Sequence, residues 1–318
     1  MIEAGKVSVI CIAFNHGQWI TEALESVKLQ DYYNKELIIA DNGSSDDTAE
    51  KIKAWIDLQS DYLQINVHYF DKQLPYCQLF NQLLHQATGM YIVDLSGDDI
   101  LYPDHLSRSL EELSRVPEAA FIFSDAHLLD ERGEVRTYYP RNNAGELREE
   151  IELSSIYETM VRRSVICSAT VVFNAQLLKA NGGYDEDLYY EDFDIQVRLA
   201  RKHPVLFSDH IGVVKRLHHN SMSAAQYKRY KSKMLPSTVK VCQKILNENV
   251  LQEENQALKE RILYELKHAL WSGNFGPAAD LIQLGIQLQI KSPVFSFYRF
   301  WAKNRWDISW IYGLIKQS

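Results

Sequence analysis

Apolar runs alternate with helically spaced apolar residues through the first two thirds of the chain. The runs are rich in β-branched residues, as buried strands are, and they predict strands at Val7–Ala13, Glu36–Ala40, Leu63–Phe70, Tyr91–Leu95, Ala119–Ser124, Val165–Phe173 and Val205–Leu217. Between them, apolar residues recur every three or four positions, which predicts helices at Trp19–Gln30, Asp47–Leu58, Tyr76–Ala87, Pro103–Leu113 and Phe193–Arg201. This alternation predicts an α/β fold with a parallel sheet and right-handed crossovers.

Two later stretches depart from the alternation. Arg141–Glu150 is polar and irregular, and we expect a mobile loop there. From about Ser223 the pattern is helical only, with helices predicted at Lys228–Leu246, Glu253–Ser272 and Pro277–Ile290, the last two folded into an antiparallel hairpin. We therefore predict two domains, an α/β domain over residues 1–225 and a helical domain over residues 226–318.

Composition and charge narrow the classes of function. The 318 residues are 46% hydrophobic and 24% charged, which suits a globular chain with one large domain and a smaller one. The net charge of −8 divides into −15 for residues 1–225 and +7 for residues 226–318, so a basic helical part follows an acidic body. Because the body is acidic and carries no nucleic-acid-binding motif, we expect no nucleic-acid partner.

Cysteine usage and the lack of long apolar stretches bear on the compartment. The four cysteines lie far apart, as free thiols in a reducing compartment do. Glu3 and Lys6 interrupt the first ten residues, so no signal peptide is predicted, and no run of 18 apolar residues predicts a membrane span. These features predict a cytoplasmic location.

Two adjacent carboxylates follow the strand Tyr91–Leu95. Ser96 and Gly97 end the strand, and Asp98 and Asp99 come next. Acids at the C-terminal end of a buried strand lie at the crevice where open α/β sheets bind ligands. Such hard oxygen ligands suit Mg²⁺ or Mn²⁺ held jointly with substrate phosphates. A solvated turn is the alternative, because Gly-Asp is common in turns.

Five motifs together resemble family 2 glycosyltransferases, which are inverting, metal-dependent enzymes of the GT-A fold. In chain order these motifs are VSVICIAFN, IIADNGSSDDT, ATGMYIVDLSGDD, NGGYDEDLYYEDFDIQVRL and RLHHNS, and they span roughly Val7–Ser223. The resemblance implies a Rossmann-like, mostly parallel central sheet flanked by helices. The residues after 225 then form an all-helical C-terminal extension that the resemblance does not cover.

The resemblance implies a nucleotide-sugar donor, UDP-sugar or dTDP-sugar, and assigns its contacts. The donor-binding residues carried over are Ala13, Phe14, Asn15, Asp41, Asn42, Asn81 and Asp98. The chain departs from the family at Asn42, where an Asp is usual, and at Phe80, where an Arg is usual. Asp41 and Asn42 have an alternative role in an Asx turn that caps the next helix. For Asn81 the alternative is a polar residue that faces the core.

The resemblance also implies a bound Mn²⁺ or Mg²⁺. It assigns Asp99 and His218 to the metal, and Ser96 stands where the family often has the first acid of its metal motif. Neutral imidazole is a ligand for Mn²⁺, and Arg216 is expected to pair with phosphate. A structural role at the end of a strand is the alternative for His218.

Glu191 and Asp192 match the family motif in which the Asp is the general base. The resemblance makes Asp192 the group that takes the proton from the attacking hydroxyl, with Glu191 on the acceptor side. Because one displacement inverts the anomeric carbon, no nucleophilic carboxylate is needed. The alternative is an acidic helix N-terminus that the helix dipole stabilises.

The last 28 residues, Lys291–Ser318, are basic and aromatic. Their eight aromatic residues are Phe295, Phe297, Tyr298, Phe300, Trp301, Trp306, Trp310 and Tyr312, among five basic residues and the single acid Asp307. This composition is typical of a segment in a membrane interface. Packing onto the helical domain and a contact in a homo-oligomer are alternatives.

Taken together, the sequence predicts an inverting glycosyltransferase of the hexosyltransferase type. It would transfer a sugar to a hydroxyl of a glycan or lipid-linked precursor in envelope polysaccharide synthesis, in the cytoplasm or peripherally on the inner face of the membrane. One alternative is a sugar-1-phosphate nucleotidyltransferase, although Phe14–Gly17 does not resemble its Gly-rich basic loop. The other is a catalytically silent binding or assembly subunit.

Overall fold

A computed structural model describes residues 2–59, 63–219 and 221–311. Its strands are β1 (Glu3–Ala13), β2 (Lys35–Asp41), β3 (Gln64–Tyr69), β4 (Gly89–Ser96), β5 (Ile100–Leu101), β6 (Phe121–Asp130), β7 (Val135–Thr137), β8 (Val172–Asn174) and β9 (Val205–Leu217). Its α-helices are α1 (Ile20–Lys28), α2 (Thr48–Asp57), α3 (Tyr76–Gln86), α4 (His105–Leu113), α5 (Ile156–Arg162), α6 (Ala175–Ala180), α7 (Asp192–Ala200), α8 (Met234–Glu248), α9 (Gln252–Trp271), α10 (Phe275–Gln287) and α11 (Pro293–Asn304). Asn220, in the motif RLHHNS, and Tyr312 and Lys316, in the basic aromatic segment Lys291–Ser318, lie outside the described residues.

The strands form a single mixed sheet in the order β3-β2-β1-β4-β8-β6-β9-β5, and β7 pairs with β6. β3, β2, β1 and β4 are parallel, β8 is antiparallel to both β4 and β6, and β6 and β9 are again parallel. The predicted fold class is confirmed, because an α/β part is followed along the chain by C-terminal helices. The short strand β8 separates the parallel group β3-β2-β1-β4 from the parallel pair of β6 and β9. The remaining strands, β5 and β7, are antiparallel to β9 and β6.

Burial on both faces explains why β1 and β2 are nearly continuous apolar runs. Val9 and Cys11 belong to the core cluster on one face, and Ile10, which points to the other face, is equally buried. All seven residues of β2 are buried. A parallel sheet covered on both faces selects this pattern in preference to a strict apolar-polar alternation.

Two predicted segments differ from the structure. The strand expected over Val165–Phe173 is wrong except at its end, because Ser168–Thr170 is a 3₁₀ turn and only β8 pairs in the sheet. The Thr170 hydroxyl takes part in this turn, since Oγ1 accepts from the Ser124 amide and donates to carbonyls. The aromatic segment expected as a tail forms α11, with Phe295 and Trp301 buried.

Arg141–Glu150 is a loop whose first residue is anchored to the sheet. The Arg141 guanidinium bonds the carboxylates of Asp125 and Asp209, both at 2.7 Å. Asp125 is fully buried, so this ion pair neutralises a charge that would otherwise be costly inside the protein.

The chain divides into two compact units that are each discontinuous in sequence. The first comprises the described residues of Met1–Ser154, Ile166–Glu186 and Arg198–Leu217, and the second those of Ser155–Val165, Asp187–Val197 and His218–Ser318. The domain boundary predicted at residues 225 and 226 lies close to the junction at 217 and 218. Two short segments of the α/β part also belong to the helical second unit.

The helical unit is built around α9. Leu258, Ile262, Leu266 and Leu270 of this helix are fully buried. Residues 272–274 connect α9 to α10, and Gly273 has a φ of +71°, which a glycine adopts without strain. No helix within the described residues is both long enough and apolar enough to cross a bilayer.

A buried ion pair lies in the core of this unit. Arg261 Nη1 donates to Glu265 Oε1 at 3.0 Å, and the two side chains are 5% and 0% exposed. The Tyr227 hydroxyl donates to the second Glu265 oxygen, and the remaining Arg261 nitrogens donate to the carbonyls of Met160 and Val161. Arg261 therefore satisfies the end of α5 as well as Glu265. Burial raises the pKa of Glu265, and the charge of Arg261 opposes that rise.

The buried and half-exposed arginines of this unit predict very different costs of substitution. Arg261→Met removes the counter-charge of the buried Glu265 carboxylate and is expected to lower the free energy of unfolding by about 3–5 kcal/mol. Arg162→Met removes a half-exposed pair with Glu260 and is expected to cost below about 1 kcal/mol. Urea denaturation of both variants provides the measurement, and similar costs for the two would contradict the argument.

Candidate functional site

The carboxyl ends of β1, β2 and β4 lie side by side at one edge of the sheet. Ala13 is in register with Asp41, and Ile12 with Ser96. The pairing continues beyond the strands, because the Asn42 amide donates to the Ala13 carbonyl and the Gly97 amide to that of Ile12. Six of the seven predicted donor-binding residues, all except Asn81, therefore lie at or just beyond the ends of these three neighbouring strands. This is the edge where such sheets bind ligands.

Asn15 joins the loop after β1 to the loop after β2. Its φ is +54°, a left-handed conformation that Asn tolerates better than most residues. Its amide donates to Ser44 Oγ, and its side-chain oxygen accepts from the Ser45 amide, both at 2.8 Å. Phe14 beside it is half-buried. Asn15 thus has a structural role in this edge, and donor contact by these two residues stays a prediction.

Asp41 and Asn42 are both buried, and both bond nearby backbone. Asp41 Oδ1 accepts from the Ser44 amide, three residues on, at 3.3 Å, whereas the expected Asx turn would use the amide two residues on. Asn42 Nδ2 donates to the Leu74 carbonyl, and its Oδ1 accepts from the Leu74 amide. An aspartate could not donate to that carbonyl, which gives a physical reason for Asn at this position. Their contact with a donor stays a prediction.

Asn81 of α3 bonds the loop that precedes α7. Its Oδ1 accepts from the Tyr184 amide at 2.9 Å, and its Nδ2 donates to the Tyr184 carbonyl and to Glu186. These contacts match the expected alternative of a polar residue directed inward. Phe80, which stands where the family usually has Arg, is fully buried and stacks on Tyr184.

Asp98 and Asp99 are both less than one tenth exposed. Asp99 Oδ1 accepts from the Arg216 amide at 2.9 Å, and Asp98 Oδ2 lies 4.0 Å from His16 Nε2. Burial and the neighbouring charge of Asp98 raise the pKa of Asp99 to about 7, against the opposing charges of Lys215 and Arg216. Two carboxylates with mutual repulsion in a buried place form an arrangement that a cation stabilises.

The guanidinium of Arg216 is occupied by the protein itself. Its Nη1 donates to the Asp98 carbonyl at 2.6 Å, and its Nη2 donates to Glu22 Oε2 at 2.7 Å. Arg216 thereby fixes the backbone that carries the two carboxylates. Its expected pairing with phosphate stays a prediction.

The residues present fit a hard divalent cation that shares its ligands with substrate. Among residues 2–59, 63–219 and 221–311, no group of three or more His, Cys, Asp and Glu side chains forms a complete site. Mg²⁺ is commonly held by one or two carboxylates together with phosphate oxygens and water. Asp99 and Asp98 supply carboxylates of that kind.

Asp94 lies in β4, four residues before Asp98, and forms a polar cluster whose other members the sequence does not identify. Its two carboxylate oxygens accept from the hydroxyls of Tyr76 and Tyr184, at 2.7 and 2.8 Å. Burial raises the pKa of Asp94 to about 6, and the two hydrogen bonds oppose this rise. In the sequence, the sign of this cluster is a carboxylate inside an apolar strand, because a buried carboxylate needs hydrogen-bond partners. Sequence spacing does not show that the partners are Tyr76 and Tyr184.

Glu191, Asp192 and His218 belong to the second unit. Asp192 is the first residue of α7, its Oδ1 accepts from the Phe193 amide at 2.6 Å, and the Glu191 carbonyl accepts from the Ile195 amide. Both acids are half-buried at the helix N-terminus, where the helix dipole stabilises negative charge. His218 follows β9, is half-buried, and donates its amide to Ser221 Oγ. Their catalytic and metal roles stay predictions.

Comparison with known proteins gives relatives in both sequence and structure. Residues 7–256 match the family described as "Glycosyltransferase like family 2". Protein CgeD of Bacillus subtilis (strain 168) is 31% identical over 188 residues, which are 58% of this chain and 42% of CgeD. The chain thus spans less than half the length of that relative.

Solved structures are also similar in fold, and two of them contain a nucleotide sugar. TarS residues 1–349 of S. aureus, in complex with UDP-GlcNAc, superimposes with a TM-score of 0.70 at 18% identity, covering 94% of this chain and 88% of that one. The mannosyltransferase PcManGT of Pyrobaculum calidifontis, in complex with GDP-Man and Mn²⁺, has a TM-score of 0.60 at 17% identity and covers 94% and 83%. The family match extends over well more than half of the chain, so this chain belongs to glycosyltransferase family 2 and has the GT-A fold.

Proposed function

We propose that this glycosyltransferase moves a hexosyl group from UDP-sugar or dTDP-sugar to a hydroxyl of a glycan or lipid-linked precursor in envelope polysaccharide synthesis. The observation that carries the proposal is the edge where β1, β2 and β4 end, with Asp41, Asp98 and Asp99 buried there in a family 2 chain. The similar folds of TarS and PcManGT were solved with UDP-GlcNAc and GDP-Man, which supports a nucleotide-sugar donor.

The first unit carries the residues we assign to the donor. Asp41 at the end of β2 can accept the N3–H of uracil or thymine, and Asp98 can accept from ribose or sugar hydroxyls. Ala13, Phe14 and Asn15 supply the neighbouring edge of this nucleoside site. Asn42 and Asn81 support it by holding the loops at Leu74 and Tyr184.

We assign Asp99 and His218 to a Mn²⁺ or Mg²⁺ ion. The chemistry of the Asp98–Asp99 pair supports this choice, since two crowded carboxylates favour a divalent cation. PcManGT, which shares the fold, was solved with Mn²⁺. When bound, the metal offsets the charge that develops on the departing nucleoside diphosphate.

We assign the general base to Asp192. It takes the proton from the acceptor hydroxyl while the new bond from that oxygen to the anomeric carbon forms. The bond from the anomeric carbon to the diphosphate oxygen breaks in the same displacement, so the anomeric configuration inverts. Glu191 belongs to the acceptor side. Asp192 lies in the first turn of α7, where the helix dipole stabilises the negative charge of a carboxylate.

A catalytically silent binding or assembly subunit is the competing function. It would keep the fold and the buried carboxylates and turn over no donor. Release of nucleoside diphosphate from a panel of nucleotide sugars, with Mn²⁺ present, separates the two functions.

We also propose that α11 and the residues after it bind an anionic membrane surface peripherally. Phe297 and Phe300 on α11 are 49% and 53% exposed, and Trp310 beyond it is 60% exposed. The Phe300 and Trp306 rings pack edge to face with centroids 5.1 Å apart, so part of this surface is continuous. An aromatic surface of this kind is unusual on a protein that remains in water.

Charge selects the partner of this surface. Arg299, Lys303 and Arg305 are exposed beside the aromatic rings, and the nearby acid Asp307 is engaged by the hydroxyl of Tyr230. Basic residues among exposed aromatics complement anionic lipid headgroups. Phe295 and Trp301 remain buried on the other side of α11, so the helix can keep its place in the unit.

The metal assignment predicts the effect of Asp99→Asn. The amide still accepts from the Arg216 amide but lacks the charge that a cation needs, so the variant should fold normally. The gain in UDP affinity on adding Mn²⁺ should fall at least tenfold, as measured by calorimetry with and without the metal. Asp57→Asn, an exposed position at the end of α2, is the control. Undiminished enhancement by Mn²⁺ in Asp99→Asn would refute the assignment.

The base assignment predicts the effect of Asp192→Asn. Asn keeps the shape and the bond to the Phe193 amide but cannot take a proton, so kcat should fall by ~10²–10⁴. UDP affinity should stay within about twofold, because the base faces the acceptor. Release of UDP, with water as acceptor where no other is known, gives the rate. Asp187→Asn, exposed and five residues earlier, is the control; turnover of Asp192→Asn near the wild-type rate would place the base elsewhere.

The membrane proposal predicts flotation with anionic vesicles and not with neutral ones. Phe297→Ser/Phe300→Ser and Arg299→Glu/Lys303→Glu should each abolish flotation with phosphatidylglycerol-containing vesicles, because each basic residue near the surface contributes ~1 kcal/mol. Matched controls are Leu29→Ser/Leu58→Ser and Arg132→Glu/Arg136→Glu, and all four positions are exposed. If the four variants floated as the wild-type protein does, the α11 surface would be excluded as the membrane-binding site. Loss of a dimer in light scattering would assign it to a second copy instead.

A further inference from the structure

The residues before Glu191 and Asp192 are bonded to one face of α8. The Tyr189 amide donates to Ser237 Oγ at 2.8 Å, and the Tyr190 hydroxyl lies 2.7 Å from Thr238 Oγ1. Tyr190 is 7% exposed, and Thr238 is almost completely buried. The chain that enters the acidic pair is therefore held both by its backbone and by a side chain.

Asp194, two residues after Asp192, is bonded to the same helix. Asp194 is 1% exposed, and its Oδ1 accepts from Lys244 Nζ at 2.7 Å. Ser237 and Lys244 are seven residues apart, which is two helical turns, so they lie on one face of α8. A buried carboxylate is costly unless it is paired, so the ion pair with Lys244 restrains the position of Asp194.

α9 contributes a third contact. The Arg261 guanidinium carbon lies 4.3 Å from the centroid of the Phe193 ring, over its face. Arg261 is itself fixed by Glu265 and by the carbonyls of Met160 and Val161. Phe193 immediately follows Asp192, and its amide orients the Asp192 carboxylate. The backbone that orients this carboxylate is thus held on both sides, by α8 at residues 190 and 194 and by α9 at residue 193.

We infer that α8 positions the Asp192 carboxylate and that, among the α8 residues in contact with this segment, Lys244 is the main positioning residue. This inference rests on the proposed function, in which Asp192 is the base. Lys244 acts through Asp194 and the intervening peptide, without taking part in the chemistry. A shift of about 1 Å in a reacting group can cost ~10² in rate, so the ion pair affects catalysis well beyond its contribution to stability.

Substitutions at Lys244 test this role. Lys244→Met should lower kcat for donor turnover by ~10–100-fold and leave the KM for the donor within about twofold. Lys244→Arg, which can still pair with Asp194, should restore most of the rate. Gln243→Met changes the adjacent residue of α8, whose side chain bonds Asn247 within the same helix, and should behave as wild type.

A double variant separates positioning from stability. Lys244→Met leaves a buried charge, which lowers thermal stability, and adding Asp194→Asn removes that charge. Stability should then recover while kcat stays low. Recovery of kcat together with stability would overturn the inference, as would a Lys244→Met variant with wild-type kcat.

Asp192→Asn separates failure of this inference from failure of the proposed function. If that variant keeps its activity, the assignment of the base is wrong and α8 has nothing to position. If Asp192→Asn is inactive and Lys244→Met differs from wild type in stability alone, the base stands and the positioning role is overturned. Combining Asp192→Asn with Lys244→Met should give no further loss of rate, because the two residues act as a unit.

Discussion

The parallel pairing of β1 with β2 on one side and β4 on the other is the constraint on which the site depends. In-register hydrogen bonds bring Ala13, Asp41 and Ser96 to the same edge of the sheet. The loops that follow then lie next to each other and can bond across, as Asn15 does with Ser44 and Ser45. A shift of one residue in any of these strands would exchange its two faces and move its terminal acids away from this edge.

Buried charge is the second recurring constraint, and in both units buried charged side chains have hydrogen-bonded or oppositely charged partners. In the α/β unit, Asp94 is paired with two tyrosines and Asp125 with Arg141. In the helical unit, Arg261 pairs with Glu265, and Lys244 pairs with Asp194. Asp98 and Asp99 differ from these groups because they are adjacent like charges, and this difference is the physical basis for assigning a cation there.

Local pattern was sufficient for most of the elements and insufficient for β8, α5 and α11. Val205–Leu217 is a strand over its full predicted length. Val165–Phe173 is richer in apolar and β-branched residues, yet only its last two residues belong to a strand, and Thr170 before them bonds Ser124. In α11, aromatic residues that suggested an exposed tail are divided between a buried face and an exposed face.

By itself, the sequence determined the α/β class, the family resemblance, the acid that ends β2 and the two acids that follow β4. These features depend on the periodicity of apolar residues and on residues that are close together in the chain. Both can be read directly from the sequence. Only the tertiary structure decided that Asn42 holds Leu74, that Tyr76 and Tyr184 pair with Asp94, and that Ser237, Thr238 and Lys244 bracket Asp192. Those partners are 18 to 90 residues apart along the chain, and it is the packing of whole elements that brings such groups within hydrogen-bond distance.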